Sequence, residues 1–239
     1  MTEEERRQPI LEHLNELRWR LVKSAVALTI GAIIAFFFRD WLFELLESPY
    51  RLAIGNTDAL AQFQVTEGFS VAMRLALFGG TLLASPILLY QIWAFVNPAL
   101  TRQERKWTVP IVIALAVLFS GGVVFGYIIL PRGLEFLLGI QSGLEPIIGV
   151  SSYISLALRF LLVFGLAFEF PVFLFAASAA GLLSSDQLGR GRRWAVLLIV
   201  TIGAVVTPTG DPLTLLALSI PLYLLYELTI LLVKLILRK

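Results

Sequence analysis

Four ionisable side chains, Arg74, Arg159, Glu169 and Glu227, lie five or more residues inside long apolar stretches of this sequence, whereas Lys23 and Lys234 stand at the ends of theirs. A charge at the centre of a bilayer costs about 2.5–3.5 kcal/mol on insertion scales, so such groups pair with one another, line a polar cavity or move ions. Glu169 is the deepest. It stands in Phe164-Gly165-Leu166-Ala167-Phe168-Glu169-Phe170-Pro171, where Pro171 lacks an N–H and invites a kink that frees backbone groups. Two readings follow: a cavity-lining or functional carboxyl, or a neutral or backbone-satisfied one with no further role. Arg74 and Arg159 are near enough to the ends of their runs for their stems to reach an interface, and Glu227 reads as the partner of an Arg on a neighbouring helix.

Other chemistry is scarce. The chain has no Cys and one His, His13, with no Ser, Asp or second His in a catalytic arrangement beside it. Thiolate catalysis, disulfides, clustered metal sites and a cofactor are therefore not expected, and neither is an enzyme. Outside the apolar runs, Glu16 has Arg20 at i+4, and Glu104 lies between Arg102 and Arg105. On residue chemistry alone both are ordinary solvated ion-pair partners.

These groups need a membrane framework. Of 239 residues, 58% are hydrophobic and 15% charged, more apolar surface than one soluble core of this size requires. A hydrocarbon layer of about 30 Å takes roughly 20 helical residues. Five runs have that length: 21–38, 69–90, 109–130, 153–180 and 213–237. A sixth, 194–206, has 13 residues and reaches only about 20 Å. The breaker-rich turn Thr207-Pro208-Thr209-Gly210-Asp211-Pro212 follows, so the last two helices should form a hairpin whose tip lies below the far surface. The expected fold is a single all-α membrane domain over residues 1–239 with six transmembrane helices, the fifth and sixth short.

Lys and Arg set the orientation. Arg6, Arg7, Arg18, Arg20, Lys23, Arg102, Arg105, Lys106, Arg190, Arg192, Arg193, Lys234, Arg238 and Lys239 fall on one side, against Arg39, Arg51 and Arg132 on the other. Both termini should be cytoplasmic. The longer outer loops, Arg39 to Gly68 and Pro131 to Ser152, are expected to form a cap of short helices. Before the first run, Ile10, Leu14, Leu17 and Leu21 share a helix face opposite Glu12, Glu16 and Arg20, which predicts an amphipathic segment over 1–20 lying on the inner surface before the chain turns in.

Several stretches together resemble the TatC family, the multispanning subunit of the twin-arginine protein translocase. They are His13-Leu14-Asn15-Glu16-Leu17-Arg18; Gln91-Ile92-Trp93-Ala94-Phe95-Val96-Asn97-Pro98-Ala99-Leu100 with Glu104-Arg105; Phe164 to Pro171; Thr207-Pro208 with Asp211; and Ile220-Pro221-Leu222-Tyr223 to Glu227. The resemblance implies a receptor core that binds Arg-Arg signal peptides of folded proteins for export across a bacterial or archaeal cytoplasmic membrane. It implies a concave, glove-like arrangement of helices. It also implies that Glu16 and Glu104 hold the two arginines, with Arg18, Phe95, Pro98 and Leu100 shaping the site and Glu169 and Glu227 as intramembrane polar groups. Single-span TatA and TatB-type subunits are the implied partners within an oligomeric complex in lipid, docking near Thr207, Asp211, Thr214 and Leu215; no nucleic acid is involved. Leu215 replaces the family's usual Gln, and Ala99 stands where many relatives have Gly.

A rival function, a proton-coupled secondary transporter or channel working through Glu169, would be helped by internal repeats and a polar midplane. The sequence lacks the first and has little of the second.

Overall fold

The computed structural model describes residues 3–54, 60–96, 108–139, 147–206 and 212–237. In chain order these form α1 (Glu3–Phe37), α2 (Arg39–Ile54), α3 (Glu67–Val96), α4 (Thr108–Gly139), α5 (Val150–Ala167), α6 (Phe170–Ala179), α7 (Ser185–Arg190), α8 (Arg192–Val206) and α9 (Pro212–Leu232), which closes in a π-helical turn, Val233–Leu237. Five segments are long and apolar enough to cross a membrane: Leu14–Phe37, Glu67–Phe95, Val109–Gly139, Val150–Ala179 and Thr214–Leu237. The architecture is that of an all-helical membrane protein.

Several expectations need correction. No break occurs near residue 20, because 10–30 contains neither Gly nor Pro and α1 runs unbroken for 35 residues. At the opposite end the cap holds one 16-residue helix, α2, while α4 continues through Pro131 to Gly139 instead of giving way to a separate short helix. Burial of Leu130 and Leu134 and contact of Gly133 with Thr214 of α9 keep that extension in place. Of the last two helices only α8, with 15 residues, is short; the apolar run from Thr214 to Leu237 has 24.

The spans pack through small residues. A Cβ on Gly80 of α3 would come within 2.5 Å of the Ala32 nitrogen of α1. One on Gly122 of α4 would meet the Phe164 carbonyl of α5 at 2.5 Å, and Gly126, one turn on, faces the Phe164 side chain. Such backbone approach is how helices associate where lipid removes the hydrophobic drive between them. Around these contacts Phe160, Phe164, Ile154 and Leu161 of α5 are fully buried, with the Phe160 and Phe164 rings 4.6 Å apart. Outward, Leu216, Ile220, Leu224, Leu228 and Leu231 form an exposed apolar stripe on α9, which only lipid or another apolar surface satisfies.

Prolines inside helices leave carbonyls without partners, and hydroxyls take them up. Pro86 cannot donate to the Leu82 carbonyl, to which the Ser85 hydroxyl donates at 2.8 Å. Pro49 likewise leaves the Leu45 carbonyl, which accepts from the Tyr127 hydroxyl of α4 at 2.9 Å. Beside it Tyr153 of α5 donates to the Leu46 carbonyl at 2.5 Å. Two tyrosines thus fasten α2 across the ends of α4 and α5.

Candidate functional site

Glu16 lies on α1, one turn before Arg20. The Arg20 guanidinium donates to Glu16 Oε1 through Nε at 2.9 Å and through Nη2 at 2.5 Å. Its remaining terminal nitrogen, Nη1, donates to Gln91 Oε1 of α3 at 3.3 Å. Gln91 is buried, and the Glu16 side chain keeps 32% of its exposure, so the carboxylate is anchored from one side and open on another. The ion pair alone contributes little at such a boundary. Its consequence is positional: Glu16 is tied to the last turns of α3.

Those turns lead into the stretch that carries the other half of the expected site. Phe95 stands one helical turn beyond Gln91 on the same face and is half-buried, and Trp93 between them is buried. Pro98, Leu100 and Glu104 lie outside the described residues. Arg18 is exposed on α1, two positions from Glu16 and so on a different face of the helix.

Glu169 occupies the break between α5 and α6. Phe168 and Glu169 turn the chain: the Glu169 nitrogen donates to the Leu166 carbonyl at 3.1 Å, and Pro171 opens α6. The kink expected of Pro171 is thus an interruption of the helix. The side chain is only 2% exposed, and neither carboxylate oxygen has a hydrogen-bond partner among the described residues. The freed backbone groups therefore do not satisfy it. Buried polar atoms left in this way are rare and costly.

In the terminal hairpin Glu227 is a pairing residue. Arg192, at the start of α8, donates to it bidentately, Nε to Oε1 at 2.6 Å and Nη2 to Oε2 at 3.0 Å, and the Tyr223 hydroxyl adds a bond to Oε1 at 2.9 Å. Thr214 is fully buried, its methyl group against Gly133 of α4, so it has no surface to offer a docking helix. Leu215 points to α8, where a Cβ on Gly203 would lie 2.9 Å from its Cδ1. Thr207 and Asp211 lie outside the described residues. Between α5, α8 and α9 an apolar groove of about 300 Å³ opens, lined by Leu166, Phe170, Leu198, Ile202 and Leu222 among others.

Sequence reasoning missed the link from Arg20 to Gln91 and did not name Arg192 as the partner of Glu227. Neither is a local pattern: the paired residues are 71 and 35 positions apart. A polar Gln in an otherwise apolar helix end was the available signal for the first. Among the described residues no three His, Cys, Asp or Glu side chains stand together as a metal site.

Comparison with known proteins gives a consistent result. The family profile described as Sec-independent protein translocase protein (TatC) matches residues 12–221. A Sec-independent protein translocase protein TatC of Aquifex aeolicus (strain VF5) is 38% identical over 235 residues, covering 97% of each chain. A protein of the same description from Desulforapulum autotrophicum is 37% identical over 232 residues, covering 96% of this chain and 86% of the relative. A crystal structure of the twin-arginine translocase receptor TatC in DDM is similar with a TM-score of 0.79 at 38% identity, over 93% of this chain and all of that one. A second crystal structure of that receptor gives a TM-score of 0.76 over 93% of this chain and 98% of the other.

Proposed function

The chain belongs to the TatC family of Sec-independent protein translocase proteins, and from that premise we propose how it reads its cargo: Glu16 and Glu104 together grip the paired arginines of an export signal. It is a twin-arginine translocase receptor subunit, a multi-pass membrane transport protein and not an enzyme. A guanidinium presents a planar fork of donors that a carboxylate accepts bidentately, whereas an ammonium is a point charge. Two carboxylates at one membrane surface therefore select Arg-Arg over Lys-Lys.

The observation that carries this reading is the Arg20 bridge from Glu16 to Gln91. It holds Glu16 at the end of α3, where the connection bearing Glu104 begins. The same connection carries Glu104 in the sequence, four residues before Thr108 of α4. Phe95, Pro98 and Leu100 give the signal's apolar stretch a surface, and that burial provides most of the affinity because exposed ion pairs provide little. Arg18, exposed on another face of α1, borders the signal-binding surface.

The remaining features fit the same assignment. Residues 1–239 act as one membrane domain with six membrane helices in a concave, glove-like arrangement, the short α8 being the fifth. Both termini and the Glu16 surface face the cytoplasm, since the basic residues gather there. Glu169 lines the concave side, where it holds water or meets a partner helix. Single-span TatA and TatB-type subunits dock along α8 and α9, against the apolar groove beside Leu198 and Ile202 and near Thr207, Asp211 and Leu215. The rival transporter reading finds no support in the relatives.

The test is photo-crosslinking of a twin-arginine signal to the purified protein. Glu16→Ala and Glu104→Ala are each expected to lower the yield about tenfold, equivalent to ~1.4 kcal/mol, while the protein still elutes as a folded species. Unchanged yield in either folded variant removes that residue from the site.

A further inference from the structure

Arg74 and Arg159 are the basic side chains of the spans that signal recognition leaves unused. Both are exposed on the lateral surface, near the end of the bundle that carries α2. Arg74 of α3 reaches across to the first turns of α5: its Nη1 donates to the Ser151 carbonyl at 3.2 Å, to the Ser151 hydroxyl at 2.9 Å and to the Ser155 hydroxyl. Arg159 follows Ser155 by one turn, so Ser151, Ser155 and Arg159 form a single row on α5 with the Arg74 guanidinium laid against it.

Among the described residues no carboxylate pairs with either arginine. Of the described acidic groups at this end, Glu67 accepts from the Phe63 nitrogen at 2.9 Å, Glu47 pairs with Arg51 at 3.0 Å, Glu135 with Arg132 at 3.0 Å and Asp40 with Arg39 at 3.5 Å, while Glu44 is exposed on α2 and pairs with neither Arg74 nor Arg159. All of Arg74's hydrogen bonds go through Nη1, which leaves Nε and Nη2 without a partner among the described residues, and Arg159, exposed, makes no side-chain hydrogen bond or ion pair there. Around them the exposed residues are apolar, Met73 and Leu77 on α3 among them. Two unpaired guanidinium groups flanked by hydroxyls and facing lipid call for an anion that lipid itself can supply.

We propose that Arg74, Arg159, Ser151 and Ser155 form a binding site for the phosphate of an anionic phospholipid, seated where Arg74 of α3 meets the first turns of α5. The fork of Arg74 takes two phosphate oxygens through Nε and Nη2, in the geometry guanidinium shares with phosphate. Arg159 begins about 13 Å along α5 and extends its stem toward the same headgroup. The acyl chains then lie on the apolar surface of the adjoining turns. Net negative charge distinguishes this ligand from a zwitterionic lipid, in which the amine competes for the phosphate.

The experiment uses the full protein in nanodiscs of phosphatidylcholine containing phosphatidylglycerol with a photoreactive headgroup. Labelled peptides are mapped by mass spectrometry. Labelling is expected on 70–78 and 151–159, is expected to exceed that by an equally tagged phosphatidylcholine, and should not yield to millimolar inorganic phosphate. Arg74→Gln and Arg159→Gln should each lower it about fivefold, the effect of one basic residue at a charged lipid surface. Arg132→Gln, which alters an arginine already paired with Glu135, should leave it unchanged. Labelling that misses these segments in the wild-type protein, equal labelling by the zwitterionic lipid, or displacement by free phosphate overturns the proposal. The comparison of the two lipids on the wild-type protein decides it even where a variant does not fold.

Discussion

At the scale of single residues, the chain places carboxyl groups in three surroundings and gives them three uses. Glu16 is anchored by Arg20 and partly exposed; Glu227 is closed by Arg192 and Tyr223; Glu169 is buried without a partner among the described residues. The pairing of Glu227 with an Arg of another helix and of Glu16 with Arg20 was legible from residue type and spacing. A Glu four residues before an Arg is so common on helices that Glu16 carries no signal by itself, and its meaning comes from Gln91, far along the chain and buried in another helix. Resemblance to the family, and not residue chemistry, singles it out. The tyrosine contacts to α2 were equally hidden, because a proline's lost hydrogen bond shows in sequence but the hydroxyl that replaces it does not. Tyr127→Phe leaves the Leu45 carbonyl to water or to nothing; the expected loss of stability is about 1 kcal/mol, read as a lower midpoint in thermal unfolding in detergent. An unchanged midpoint would mean that solvent already satisfies that carbonyl.

The elements were easier to foresee, and the reason is length. Runs of twenty apolar residues have few alternatives to a membrane helix, so the five long spans stand where hydropathy placed them. Their ends were less legible. Pro131 and the amphipathic start of the chain look like boundaries, yet α4 and α1 continue through them because packing or an absence of breakers favours one more turn. Helix contacts were not readable either, since a glycine in an apolar run does not reveal what it touches. Gly122 is the sharpest case: a side chain there collides with the Phe164 carbonyl and the Phe168 side chain. Gly122→Leu is expected to destabilise the α4–α5 pair by about 1–3 kcal/mol. Faster proteolysis between α4 and α5 would report it, and resistance equal to the wild-type protein would show that the pair can separate without cost.

For the whole molecule, the bilayer is part of the fold. The exposed face of α9 is as apolar as the core, and α8 spans only about 22 Å of a layer about 30 Å thick. Lipid must deform or the loop must sink. In nanodiscs, headgroup phosphates beside α8 are expected to lie several ångströms nearer the midplane than those beside α4, as cryo-electron microscopy density would display; a level phosphate plane would contradict this.

The central claim is that selectivity for paired arginines resides in two carboxylates at one end of this bundle. It is tested most directly by the binding isotherm of one synthetic signal peptide carrying Arg-Arg against the same peptide carrying Lys-Lys, on the purified protein. The account predicts that Arg-Arg binds about tenfold more tightly and that the difference vanishes in a Glu16→Gln, Glu104→Gln double variant. Equal affinity for the two peptides, or a preference that survives the double variant, would contradict it.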